Sequence, residues 1–316
     1  MAKLRAAVIG AGYLGRFHAQ KYAALDGIDL VGVVDSDTER AATVAAEVGT
    51  TAFTDYHQIL DRIDMASVVV PTCAHYSVTR DLLAAGCHVL VEKPFTQTAV
   101  EADDLIELAE QQGVALQVGH LERFNPAITA LKGILKSPMF VESHRLTSFR
   151  SRGTDVDVVL DLMIHDIDII LSMVPAAVKR ISAVGVPILS EEVDIANARI
   201  EFENGCVANV TASRVSQHAM RKIRVFQSDA YFSIDFQKRK IGVCRKGGAG
   251  MPIPGLPGIA IKEQEFEEGD SLMAEIGAFV EAVRTGSRPL VTGEDGKRAL
   301  ELALQISSQL GRPATL

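Results

Sequence analysis

Six residues near the N-terminus, Gly10-Ala11-Gly12-Tyr13-Leu14-Gly15, carry the first spacing in this chain that could do chemistry. They fit G-x-G-x-x-G, a pattern that small loops also reach by chance. Here it follows an apolar run, residues 4–9, and opens a helix predicted from residue 12 to about residue 25. In that setting Gly10 permits a tight turn, Gly12 lets the backbone approach a pyrophosphate, and Gly15 lets helix and strand pack closely. The amides of Tyr13 and Leu14 belong to a helix N-terminus, which offers unpaired N–H groups and a positive dipole end to phosphates. Asp35 ends the second apolar run. A carboxylate there accepts hydrogen bonds from ribose hydroxyls and repels a 2′-phosphate, so the pattern predicts NAD in preference to NADP. The plainer alternative is a tight turn and a surface Asp.

Three further groups could act on a substrate. Glu92-Lys93-Pro94 ends a predicted strand, where Lys93 could hold a hydroxyl and stabilise alkoxide character. A Glu-Lys-Pro tripeptide is otherwise a solvated turn. Asp161 and His165 stand four apart on a predicted helix, 158–174, and so share a face, with Asp157 and Asp168 extending the stripe. That helix is apolar on nearly every other side, so its ionisable groups need partners or a wet cavity. His165 could serve as a general base, with Asp161 orienting it or binding substrate; a core His satisfied by a neighbouring Asp is the alternative. No third ligand at suggestive spacing supports a metal reading. Pro71-Thr72, with His75 close behind, follows another strand on the expected nicotinamide side, although His75 could be an ordinary helix residue. Residues 119–126 (GHLERFNP) offer polar candidates, Arg123 among them, which could equally form an ion pair between domains. His18, His57, His88 and His218 show no convergent signal.

These groups need elements to hold them. The first ~120 residues alternate strand and helix, the signature of a parallel sheet covered on both faces. Strands are predicted at 4–9, 28–35, 65–70, 88–91 and 114–118, with helices between them. Their apolar runs lack clean alternation, as expected for burial on both sides. Beyond residue 120 the pattern becomes mostly antiparallel. Ala196, Ala198, Ile200 and Phe202 alternate with polar residues, Asn204-Gly205 supplies a tight turn, and Cys206, Ala208, Val210 and Ala212 continue the alternation. Residues 222–235 extend the sheet, 247–258 read as a Gly/Pro-rich loop, and helices are predicted at 271–284 and 294–310 with Thr292 as N-cap. The expected fold is α/β: a doubly wound Rossmann sheet over residues 1–122, then an α+β domain with an open, mainly antiparallel sheet over 123–316.

With 316 residues, 47% hydrophobic and 23% charged, the chain is long enough for two cores. A formal net charge of −8 argues against nucleic acid or an anionic membrane as partner. Cys73, Cys87, Cys206 and Cys244 are scattered without metal or redox spacing, which suits a reducing compartment. No membrane span or signal peptide is expected, and cytoplasm is the expected location.

Together the glycine loop with Asp35, Pro71-Thr72 with His75, Glu92-Lys93-Pro94 and Asp161-x-x-x-His165 resemble the Gfo/Idh/MocA family of sugar and cyclitol oxidoreductases, over essentially the whole chain. The resemblance implies an NAD-dependent dehydrogenase with Lys93, Asp161 and His165 in its active site, and Gly10, Gly12, Tyr13, Leu14, Gly15, Asp35, Pro71, Thr72, His75, Glu92 and Lys93 toward the cofactor. It also implies a homodimer or homotetramer formed through the C-terminal sheet. Within the family, residues 119–126 and 155–168 look most like the UDP-N-acetylglucosamine 3-dehydrogenase branch, which oxidises the sugar 3-hydroxyl. Arg123, Asn125, Arg150 and Asp161 are then expected to contact a sugar or nucleotide-sugar substrate. An inositol or other polyol dehydrogenase shares these features, and a non-enzymatic NAD-binding regulator would need only the glycine loop.

Overall fold

Strand and helix alternate from the first described residues onward. In the computed structural model, which describes residues 3–149, 156–246, 251–253, 256–267 and 269–310, the chain divides into two compact units. The first holds β1 (Leu4–Ile9), α1 (Tyr13–Ala24), β2 (Ile28–Val34), α2 (Thr38–Val48), β3 (Thr51–Phe53), β4 (Met65–Val68), α3 (Thr72–Ala84), β5 (His88–Glu92), α4 (Ala99–Gln112) and β6 (Leu116–Gly119). All six strands run parallel in the order β3-β2-β1-β4-β5-β6. This is the doubly wound order whose direction of winding reverses between β1 and β4, where such sheets bind ligands at their carboxyl ends. Gly49 and Gly113 stop α2 and α4 in the left-handed conformation, and a Thr98/Glu101 capping box starts α4.

The domain boundary needs a correction. The first unit spans Met1–Leu121 and also Asp270–Leu300, so the C-terminal stretch does not all belong to the second unit. Helix α7 (Ser271–Thr285) places Leu272, Ile276, Phe279 and Val280 in one buried cluster with Ala6, Val8, Tyr22, Val33, Met65 and Leu90. Each large side chain so buried contributes about 1.5–3 kcal/mol, which fixes where the helix docks. The returning chain also covers the β6 edge: Val118 N–H donates to the Val291 carbonyl at 3.1 Å. A Cβ on Gly296 would come within 2.5 Å of the Val118 side chain, so α8 (Gly293–Gln309) starts flush against that strand. Thr292 caps α8, its hydroxyl accepting from Asp295 N–H at 3.2 Å.

The second unit comprises Glu122–Gly269 and the chain after Leu300. It contains α5 (Pro126–Thr129), β7 (Phe140–Leu146), a π-helical turn (Val159–Met163) leading into α6 (Ile164–Met173), β8 (Val178–Val186), β9 (Ile195–Phe202), β10 (Val207–Ser213), β11 (Met220–Phe226), β12 (Ala230–Asp235), β13 (Lys240–Lys246), β14 (Met251–Ile253) and β15 (Leu256–Glu265). The nine strands pair in the order β14-β15-β13-β12-β11-β7-β10-β9-β8, with only β7–β10 parallel. The expected hairpin is present: Ala208 faces Ile200, and Gly205 takes the left-handed turn at φ 83°. Two pieces of the stretch read as a loop, β14 and the start of β15, are strands instead. Alternate residues of β9 and β10 bury Ala198, Ile200, Ala208 and Val210, and α6 lies against β7 and β10.

Candidate active site

Two of the loop's three glycines meet a steric need, and the third leaves open space. Gly10 has φ +102°, and a Cβ there would sit 2.4 Å from the Val69 carbonyl oxygen at the foot of β4. A Cβ on Gly15 would fall 1.8 Å from the Gly10 carbonyl oxygen, so α1 can approach β1 only without one. At Gly12 a Cβ would meet nothing within 4 Å, leaving open space on the outer side of the turn. Helix α1 has no side-chain cap and no acidic residue in its first turn, which starts with Tyr13 and Leu14. A diphosphate fits this arrangement, because the positive dipole end of α1 starts at a residue with no Cβ and no atom within 4 Å of where one would stand.

Asp35 lies just past β2 and is turned toward this loop. Its Oδ2 accepts from Ala11 N–H at 2.8 Å and its Oδ1 from Asp37 N–H at 2.9 Å, with Arg40 Nε 3.7 Å away. Both carboxylate oxygens are thus oriented by backbone. Pro71 and Thr72 follow β4 at the first turn of α3, on the carboxyl side of the sheet.

Glu92 and Lys93 leave the end of β5. The Glu92 carboxylate is buried, with Oε2 accepting from Lys93 N–H at 3.3 Å and Oε1 3.1 Å from His18 Nε2. Its place depends on Gly119 of β6, where a Cβ would lie 2.9 Å from that carboxylate. Glu92 therefore supports Lys93 from inside the sheet, whereas Lys93 itself is half-buried. His75 is buried in α3, its Nδ1 2.8 Å from the Pro94 carbonyl oxygen and its Nε2 2.9 Å from that of Val70. Desolvation lowers its pKa, against the raising effect of those carbonyls. Both ring nitrogens face backbone carbonyls, and the neutral ring donates its single N–H to one of them, so His75 presents neither nitrogen to a ligand.

In the second unit, Asp161 and His165 stand four apart across a change of helix type. The expected regular helix opens with an i→i+5 turn, Val159–Met163, before α6 begins. Such π turns occur frequently at functional sites. Asp157 accepts from Val159 N–H at 2.9 Å and Leu160 N–H at 3.0 Å, so it caps the helix and is not part of a catalytic stripe. The other aspartates separate by burial. Asp166 and Asp168 are fully buried, while Asp161 and His165 are only half-buried.

The buried pair is held by arginines. Arg145 of β7 donates through Nε and Nη2 to Asp166 Oδ1 at 3.1 and 2.7 Å, and through Nη1 to Glu122 Oε1 at 3.0 Å. Burial alone would lower the Arg145 pKa, but the charges and hydrogen bonds of Asp166 and Glu122 raise it, so it stays cationic. Arg123 forks onto both oxygens of Asp168 at 2.7 and 2.8 Å. The structure thereby corrects two substrate-contact expectations. Arg123 braces α6 within its own unit, because a buried carboxylate needs a bidentate partner. Asn125 is the N-cap of α5, its Oδ1 accepting from Ala127 N–H at 3.0 Å. Arg150 lies outside the described residues. Among the described residues, no three His, Cys, Asp or Glu side chains could hold a metal ion, and no helix is long and apolar enough to cross a membrane.

Two family models match the chain: an oxidoreductase family with an NAD-binding Rossmann fold over residues 4–120, and the Gfo/Idh/MocA C-terminal domain over residues 136–233. The chain belongs to the Gfo/Idh/MocA family. As in that family, its first unit is an NAD-binding Rossmann fold, and the chain is an oxidoreductase. It is 40% identical to the UDP-N-acetylglucosamine 3-dehydrogenase of Acidithiobacillus ferrooxidans, over 97% of each chain. A solved structure of the A. ferrooxidans enzyme superposes with a TM-score of 0.93, covering 98% of each chain. The scyllo-inositol 2-dehydrogenase (NAD(+)) of Bacillus subtilis is 28% identical over 99% of this chain and 96% of its own. Family membership favours an enzyme over a regulator that merely binds NAD. Against the family pattern, the residue overlooked in the sequence is His18. It shares the buried face of α1 with Gly15, Ala19 and Tyr22. A histidine on a sheet-facing stripe needs a polar partner, and that spacing was the available signal.

Proposed function

We propose that the protein is an NAD-dependent dehydrogenase that oxidises a secondary hydroxyl of a sugar to a ketone, namely the 3-hydroxyl of a UDP-N-acetylhexosamine. The observation that carries this reading is full-length similarity to a UDP-N-acetylglucosamine 3-dehydrogenase at 40% identity, together with Lys93, Asp161 and His165 in this chain. When bound, NAD+ supplies the hydride acceptor at nicotinamide C4. The open cradle at Gly12 and the uncapped start of α1 suit its diphosphate, and Asp35 suits an adenosine ribose without a 2′-phosphate.

His165 takes the proton of the hydroxyl being oxidised as a general base, acting from a half-buried position. The Lys93 ammonium stabilises negative charge as it develops on that oxygen. Asp161 orients a neighbouring hydroxyl and the imidazole. The Arg145–Asp166 and Arg123–Asp168 pairs keep the His165 helix in place while the substrate binds. Arg150 remains a proposed contact for the substrate diphosphate. The free thiols fit a cytoplasmic enzyme, and the polar sheet face bearing Asn197, Arg199 and Thr211 suits a homodimer or homotetramer.

Similarity to the B. subtilis enzyme supports a second reading, inositol or another polyol as substrate. The deciding experiment follows NADH absorbance against UDP-sugars, free sugars and inositols. Turnover of UDP-N-acetylglucosamine is expected, with a 3-keto product identified by mass spectrometry after borodeuteride reduction. Turnover of inositols alone refutes the sugar assignment, and full activity in His165→Ala refutes the base.

A further inference from the structure

The turn that carries Lys93 is gripped by two buried imidazoles. On one side His18, with no surface exposure, faces the Glu92 carboxylate through Nε2 at 3.1 Å. Its Nδ1 has no hydrogen-bond partner among the described residues, which puts the ring proton on Nε2, where the carboxylate accepts it. The other Glu92 oxygen accepts from the backbone N–H of Lys93 itself. Across the turn, His75 lies 2.8 Å from the carbonyl oxygen of Pro94, the residue after Lys93, and 2.9 Å from that of Val70, two residues past β4. With its N–H on Nδ1, the nitrogen with the shorter contact, His75 donates to Pro94, so the Lys93 backbone is anchored on its N-terminal side to α1 and on its C-terminal side to α3. Gly119 completes the arrangement by leaving room for the Glu92 carboxylate.

We propose that His18 and His75 are positioning residues for Lys93, a two-sided clamp that sets where the ammonium sits relative to the substrate oxygen. The inference rests on the reading of Lys93 as the group that stabilises that oxygen. Neither imidazole needs to touch substrate. Each acts through backbone or through Glu92, and both are shielded from water, so their bonds are not diluted by competing solvent. Misplacement of a catalytic group by about 1 Å costs on the order of 100-fold in rate, which makes such a clamp worth building.

The primary test needs no substrate. Lysines of the full-length protein are dimethylated with 13C-formaldehyde, and the Lys93 signal is assigned as the one absent in Lys93→Arg. In His18→Leu and in His75→Leu that signal is expected to change its chemical shift, while the other lysines stay put. His18→Gln, which keeps a donor near Nε2, should return it toward the wild-type position. If the leucine variants do not fold, His18→Phe and His75→Phe serve in their place, because each keeps a buried planar ring and removes the nitrogen that makes the contact. A signal that stays fixed, or that answers to only one histidine, overturns the clamp.

Kinetics supply the second readout. In otherwise wild-type enzyme, His18→Leu should lower kcat by about 100-fold with NADH affinity unchanged. In a Lys93→Met background the same substitution should add almost nothing to the loss, since both changes remove one function. Equal losses in the two backgrounds overturn the clamp. If Lys93→Met itself turns over like wild type, the catalytic reading of Lys93 falls, and the NMR result then judges the clamp separately.

Discussion

Removing one carboxylate beneath α6 should be far more damaging than removing one on the sheet surface. The Asp166 and Arg145 side chains are 2% and 3% exposed, joined at 2.7 Å, with Glu122 as a second carboxylate on that guanidinium. Asp166→Ala would leave a buried cation with half its compensation, a change that costs about 3–5 kcal/mol. For a unit of this size that corresponds to a fall in Tm of roughly 6–20 °C. The matched control is Glu201→Ala, whose partner Arg180 is 69% exposed. That surface pair should be worth less than about 1 kcal/mol. Thermal and urea unfolding of both variants, followed by circular dichroism, measures the difference directly. Because α6 carries His165, Asp166→Ala should also lower kcat at temperatures where it remains folded, without weakening NADH binding. Equal Tm shifts in the two variants would refute the claim that buried charge pairing holds this helix.

Three more outcomes follow from single residues. Gly15→Ala would force α1 off the Gly10 carbonyl, and loss of NADH fluorescence enhancement is the expected result; near-normal binding would show that the loop tolerates the added carbon. Asp35→Ala should narrow the preference for NAD over NADP by removing the carboxylate that repels a 2′-phosphate, read as the ratio of kcat/KM for the two cofactors. Asp194 concerns pH. Burial pushes its carboxyl up, but the Ser190 hydroxyl, the Leu189 and Ser190 amides and the Arg214 guanidinium hold it well below the usual carboxylate range. A depressed folded pKa stabilises the protein fully at neutral pH, and that contribution is lost as pH falls below about 4 toward the folded value. Asp194→Asn should therefore be less stable at pH 7 and lose less on acidification, measured by urea unfolding between pH 7 and pH 3. A parallel acid limb in both proteins would contradict the assignment.

What could be read directly from the sequence was whatever depends on neighbours along the chain. The strand, glycine turn and helix at residues 4–24 follow from local apolar patterning and from a turn conformation that glycine adopts cheaply, and the structure gives Gly10 and Gly15 a steric reason. The hairpin of β9 and β10 was legible for the same cause, since alternation and an Asn-Gly turn fix register between adjacent strands. The Asp161/His165 pair was visible as a spacing, but not as a pair more exposed than Asp166 and Asp168. That distinction required Arg145 and Arg123, which come from β7 and from the turn after β6. In the same way Asp157 and Asn125 looked like site residues until their side chains were found on nearby amides as caps.

Only the tertiary structure decided three things. It brought α7 and the start of α8 back to the first sheet, where apolar residues far along the chain from β1 complete its core. It turned Arg123 from a substrate contact into a brace. And it set His18 against Glu92, two residues 74 positions apart with no shared local signal. The physical reason is common to all three. Propensity, turn chemistry and periodicity act over a few residues, whereas the partner of a buried charge or an apolar face is whatever the folded chain places within a few ångströms of it.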